Sequence, residues 1–143
     1  MGDKEDDERV RRDLIAPNAI PLVTIPPEDE ILGFSFRHLD LQHPKFHVGK
    51  CQMDYFAALL AKIQQYSTWS VGAFCDQNNQ DHRHIIWFPD TTEPGGFPNI
   101  DPDQLAYHES WQFGVSWGWR VHGILIGNIF YIVWLDPDHL LDL

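Results

Sequence analysis

Arg120, His122 and His139 are the residues whose types and spacing could do chemistry near the carboxyl end of the chain. Arg120 and His122 are separated by one residue in an apolar run, so in a β-strand both side chains lie on one face of the sheet. There an arginine could grip a phosphate through a bidentate fork, and a histidine could act as general acid or base. His139 follows Leu-Asp-Pro-Asp, a turn sequence, just past the next apolar run. The alternative is structural: Arg120 pairs with an acid such as Asp136, and a hydrogen bond satisfies His122.

A second candidate chemistry is metal binding by His82 and His84, which a strand would also place on one face. Such a pair can ligate Zn²⁺ when a third ligand comes from elsewhere, and the sequence offers His38, His122, His139 or Asp136. Neither His-Glu-x-x-His nor Cys-x-x-Cys occurs. We expect no nucleotide cofactor, because the sequence lacks the glycine-rich loops that hold phosphates.

The elements that must position these residues follow from hydrophobic periodicity. Alternation of period two and short apolar runs predict strands over 31–41, 82–88, 110–117, 119–126 and 128–135. A period of 3.6 predicts a helix over 51–67, followed by a short second helix from Ser67 or Thr68. Gly127-Asn128 is a favoured hairpin turn, and 89–103, rich in Pro and Gly, reads as a long loop. The order β-α-α-β-β-β-β predicts an α+β fold with a C-terminal antiparallel meander and a two-helix hairpin packed on the sheet. In the last strand, alternation predicts that Phe130, Ile132 and Trp134 lie on one face of the sheet. Tyr131, Val133 and Leu135 are then expected on the other face.

Composition divides the chain into an arm and a domain. Residues 1–30 comprise an acidic tail and an extended arm with four prolines and several apolar residues, and 31–143 form a single α+β domain. The arm is predicted to contact a protein partner or a second copy of the chain. No apolar run approaches the ~18 residues of a membrane span, and the charged amino terminus is no secretory signal, so a cytoplasmic location without a membrane is expected.

Charge favours a basic protein over nucleic acid as the partner. The formal net charge is -11, and after residue 13 there are 15 acids and only six bases. Non-specific binding of nucleic acid depends on Lys and Arg, so the balance opposes it, although a local basic cleft leaves RNA open as a partner.

Two stretches carry a resemblance to known proteins. Trp119-Arg120-Val121-His122, with the run from Phe130 through His139, resembles the closing strands of the RelE/ParE-like toxin fold. Phe34 through Asp40 and Arg120 through Leu140 are also similar to a set of small bacterial proteins that end in RVHGF…FYIVWLDPDHxLY. The toxin resemblance implies a two-helix hairpin before an antiparallel sheet, and basic, His and Tyr residues that position RNA for attack by its own 2′-OH.

Three functions follow as hypotheses. Acidity, the proline-rich arm and the many aromatics favour a protein that acts through protein–protein interaction, in a toxin–antitoxin or phage-conflict setting. The first alternative is a metal-independent endoribonuclease with Arg120 on the scissile phosphate and His122 and His139 as base and acid. The second alternative is a metal-binding protein that uses His82 and His84.

Overall fold

Five strands and three helices make up the computed structural model, which describes residues 27–76 and 82–142. The strands are β1 (Gly33–Ser35), β2 (His84–Ile85), β3 (Glu109–Ser116), β4 (Trp119–Ile126) and β5 (Ile129–Asp136), and the helices are α1 (Met53–Tyr66), α2 (Val71–Cys75) and α3 (Pro102–Tyr107). They form one mixed sheet in the order β1-β5-β4-β3-β2, with β1 parallel to β5 and the other pairs antiparallel. The predicted α+β class and C-terminal meander are confirmed.

The predicted helical hairpin covers one face of this sheet. Tyr55, Leu59 and Tyr66 of α1 are buried against apolar side chains of the three central strands. The Ser70 hydroxyl caps α2 by accepting a hydrogen bond from the Ala73 amide, as a serine at this position commonly does. Phe74 then packs against the rings of Trp111, Phe113 and Phe130.

Irregular chain and α3 cover the opposite face. There Phe46, Phe97 and Leu141 surround Trp134 and the neighbouring side chains of β4 and β5. The sequence prediction missed α3, placing these residues in or beside a loop. The local signal was present, because Asp101 accepts hydrogen bonds from the amides of Asp103 and Gln104, and Pro102 opens the first turn.

A bulge in β5 changes which of its side chains share a face. His122 pairs with Trp134 but Gly123 pairs with Ile132, so Val133 is an extra residue on β5. The predicted alternation is therefore wrong beyond Ile132: Trp134 lies with Val133 in the core of the loop-covered face, while Leu135 lies in the helix-covered one. The shift also brings Asp136 to the face that carries His122.

Two predicted strands are shorter than expected. The strand predicted over 31–41 is confined to Gly33–Ser35, and the strand predicted over 82–88 to His84–Ile85. Within the described residues, helices are all too short or too polar to cross a membrane. The acidic tail and residues 14–26 of the arm lie outside the described residues.

Candidate functional site

A buried pair formed by His122 and Asp136 lies at the centre of the candidate site. His122 is on β4, Asp136 ends β5, and both side chains are 0% exposed. The imidazole Nε2 and the carboxylate Oδ2 are 2.9 Å apart. The rings of Phe46 and Trp134 lie beside the imidazole, with centroids at 6.0 and 6.3 Å.

Burial sets the protonation of this pair. Desolvation lowers the pKa of His122 below its ordinary value and outweighs the hydrogen bond that His122 donates to Asp136, which acts to raise that pKa. Burial acts to raise the pKa of Asp136, but its hydrogen bonds to His122 and to two backbone amides leave that pKa below the ordinary value. A neutral imidazole therefore donates from Nε2 to an ionised carboxylate. His122 Nδ1 is then an acceptor, and it is buried without a hydrogen-bond partner among the described residues.

Asp136 also fixes the turn that follows β5. Its Oδ1 accepts a hydrogen bond from the Leu140 amide at 2.8 Å, and its Oδ2 accepts one from the Leu141 amide at 3.2 Å. The predicted turn is present, and His139 within it has a positive φ of 56°. The His139 side chain turns to the exposed carboxylate of Asp142, with Nε2 and Oδ2 2.6 Å apart.

The Arg120 guanidinium donates hydrogen bonds to backbone carbonyl oxygens and not to a carboxylate. Its Nη1 donates to the carbonyl oxygens of Trp117 and Trp119, at 2.7 and 3.1 Å, and its Nε is buried without a partner among the described residues. Asp136 is its cross-strand neighbour, but the carboxylate bonds to His122 and not to the guanidinium. Trp117, at the β3–β4 turn, adopts φ 47° and is 91% exposed, an unusual conformation for a bulky residue that these hydrogen bonds stabilise.

Gln112 and His84 extend the polar row across the sheet. Gln112 faces His122 on the neighbouring strand and His84 on the other side. Its Nε2 lies 3.0 Å from His84 Nε2, and its buried Oε1 has no partner among the described residues.

The two metal candidates are differently placed. His82 precedes β2 with φ 60°, so strand alternation does not govern the direction of its side chain. His84 Nδ1 lies 3.1 Å from the Ile85 carbonyl oxygen, and Gln112 occupies its Nε2. No cluster of three or more His, Cys, Asp or Glu side chains suited to a metal ion occurs in 27–76 and 82–142.

Of the three predicted catalytic residues, the structure brings two to one sheet face. Arg120 and His122 are both buried there, whereas the His139 side chain is 34% exposed and pairs within its own turn. Asp136 connects His122 to the turn that holds His139, because it accepts hydrogen bonds from His122 and from the amide that follows His139. Sequence reasoning considered Asp136 only as a partner of Arg120 or a metal ligand, since the bulge that redirects it leaves no signal in the sequence.

Comparisons with family models, with curated proteins and with solved structures found no match for this chain. They lend no support to the resemblance to the RelE/ParE-like fold.

Proposed function

We propose that this protein acts through protein–protein interaction and that its partner is basic. The observation that carries the proposal is how the charged and apolar side chains are distributed. Two of the six cations after residue 13 are buried and a third pairs with a carboxylate, while Arg37 and Lys50 are exposed. Most described carboxylates and several large aromatic side chains face the solvent.

The cations show this most directly. Of the six bases after residue 13, Arg83 and Arg120 are buried, and each donates hydrogen bonds to backbone carbonyls. Lys45 pairs with Glu93. Binding of nucleic acid needs a stripe of accessible cations, so this arrangement favours a basic protein over RNA.

Exposed aromatic side chains supply the second half of the argument. Trp87, Tyr107 and Trp117 are 69%, 88% and 91% exposed, although Trp and Tyr usually bury most of their area. The same residue types are enriched at the energetic centres of protein interfaces. At its described end the arm packs on its own domain, where the Glu30 carbonyl accepts a hydrogen bond from the Val71 amide. A partner contact through residues 14–26, and the toxin–antitoxin setting, remain predictions.

A metal-independent endoribonuclease is the second candidate, favoured by the His122–Asp136 pair. A carboxylate that orients a histidine through one nitrogen leaves the other nitrogen available as a base. Here that nitrogen belongs to a fully buried ring, so RNA could reach it only after the loop-covered face opens.

Purification of the tagged chain from its source organism tests the proposal. We expect a stoichiometric protein of basic isoelectric point that remains after nuclease treatment and dissociates as salt is raised. Cleavage of added RNA that His122→Gln abolishes without changing the thermal midpoint would support the ribonuclease instead. A chain that purifies alone from source extract at low salt would contradict the interaction proposal.

A further inference from the structure

A groove lies between the edge strand β2 and helix α3. It is lined by residues 85–89 on one side and by residues 105, 106 and 108–110 on the other. Ile85, Trp87, Phe88, Pro89 and Leu105 make most of this lining apolar. We call it the edge groove.

The size of the edge groove indicates what it could hold. Its volume is about 250 Å³. Pockets for cofactors and drug-sized ligands run from roughly 300 to 1,000 Å³ and enclose most of the ligand. The edge groove is smaller than that range and open at the surface, so it suits one large apolar side chain of a partner protein.

The backbone beside the groove also has polar groups that β3 does not bind. The Ile86 amide donates to the Ser110 carbonyl at 2.8 Å, so in antiparallel pairing the polar backbone groups of Ile85 face away from β3. On that side the Ile85 carbonyl oxygen lies 3.1 Å from Nδ1 of the exposed His84 side chain. The Ile85 side chain is 39% exposed and Trp87 is 69% exposed. Exposed backbone and alternating apolar side chains on an edge strand are what an extended segment needs in order to add to a sheet.

Charge distinguishes among possible occupants. Glu109 lines the groove, Asp90 follows Pro89, and Asp103 is exposed on α3, while no Lys or Arg contributes to the lining. A second copy of the chain would bring its own net charge of -11 and the same carboxylates to this edge. A basic segment would instead place its cations against them.

We infer that the edge groove binds an extended basic segment of a partner protein, with one large apolar side chain of that segment seated between Trp87 and Leu105. The inference rests on the proposed function and names the surface and the chemistry of the partner.

Peptide binding to the full chain tests this surface. The probe is a short fluorescein-labelled peptide that alternates Lys with Leu, compared with peptides that alternate Glu with Leu and Lys with Ser. We expect only the first to bind with saturation. Trp87→Ser should weaken binding about tenfold or more, as loss of a central aromatic anchor does, and Glu109→Gln should weaken it at low salt.

Matched controls separate this site from general attraction to an acidic protein. Met53→Ser removes an exposed apolar side chain on α1, and Asp54→Asn removes an exposed carboxylate beside it. Both should bind the peptide within about twofold of wild type, because both sites lie outside the groove. All four substitutions are at exposed positions, so folding should be retained, and circular dichroism checks that it is.

Three results would overturn the inference. The first is equal affinity of wild type and Trp87→Ser for the Lys-Leu peptide, and the second is binding of the Glu-Leu peptide. The third is a mass of two chains in light scattering that Trp87→Ser reduces to one, which would make a second copy the occupant. A basic partner that still purifies with Trp87→Ser would place the interface elsewhere and leave the proposed function standing, whereas no partner at all would remove the function itself.

Discussion

The carboxylate of Asp136 connects the end of the sheet to the C-terminal turn, and its removal should be costly. Asp136→Ala leaves three donors without an acceptor: the buried His122 Nε2 and Leu141 amide, and the partly buried Leu140 amide. Hydrogen bonds to charged groups each contribute about 1.5–3 kcal/mol, and water entering the space left by the side chain recovers part of that. We expect the free energy of unfolding to fall by about 3–5 kcal/mol, a large share of the ~5–15 kcal/mol of a typical domain.

Urea denaturation followed by tryptophan fluorescence measures this change, because Trp134 lies next to His122. Asp136→Asn keeps one carbonyl oxygen and the shape of the side chain, so it should lose about half as much. Asp138→Ala is the control: this neighbouring carboxylate is exposed, and its loss should change stability by about 0.5 kcal/mol or less. Equal midpoints for Asp136→Ala and Asp138→Ala would refute the assigned role of Asp136.

The remaining predictions concern His122, Gly123, Arg120 and Trp117. Because burial lowers the pKa of His122, the unfolded chain binds a proton at this imidazole more readily than the folded chain does. The free energy of unfolding should therefore fall as pH drops below 6.5, by up to ~1.4 kcal/mol per pH unit. In urea titrations at several pH values, His122→Gln should lack this contribution to the pH dependence. In Gly123→Ala the new Cβ would collide with the Tyr131 carbonyl oxygen and the Phe130 ring, which should cost about 3 kcal/mol or prevent folding; a wild-type thermal midpoint would contradict the bulge. Arg120→Met should lower the free energy of unfolding by about 2–3 kcal/mol, because two backbone carbonyls lose a charged donor. A wild-type denaturation midpoint would show that these hydrogen bonds do not stabilise the fold and would favour a functional role for Arg120. Trp117→Asn should leave the free energy of unfolding unchanged or raise it, by at most about 0.5–1 kcal/mol, because Asn tolerates positive φ. A lower stability in calorimetry would mean that the indole makes stabilising contacts with the rest of the chain.

Local patterns predicted α1, α2 and the meander, whereas contacts between distant residues determine which side chains form the candidate site. The apolar period of α1 and the Gly127-Asn128 turn are encoded in adjacent residues, and both are confirmed. The bulge at Val133 depends on how β5 meets β4 and Gly123, so alternation alone gave the wrong face for Trp134 and could not place Asp136 beside His122.

The role of Arg120 also depends on tertiary contacts. In the sequence it is an isolated cation among apolar residues, which suits a ligand site and a buried structural hydrogen bond equally well. The structure gives it two backbone acceptors at the β3–β4 turn, contacts that no local pattern in the sequence predicts. By contrast, Asp101 followed by Pro102 is a local N-capping pattern, and that pattern predicts the start of α3.

The mass of the complex that the tagged chain forms in extract from its source, measured before and after ribonuclease treatment, tests the central claim most directly. The buried His122–Asp136 pair and the exposed acidic and aromatic surface predict a protein complex of fixed stoichiometry whose mass ribonuclease leaves unchanged. A complex that collapses to the mass of the free chain after ribonuclease treatment would show that RNA is the partner and would contradict the account.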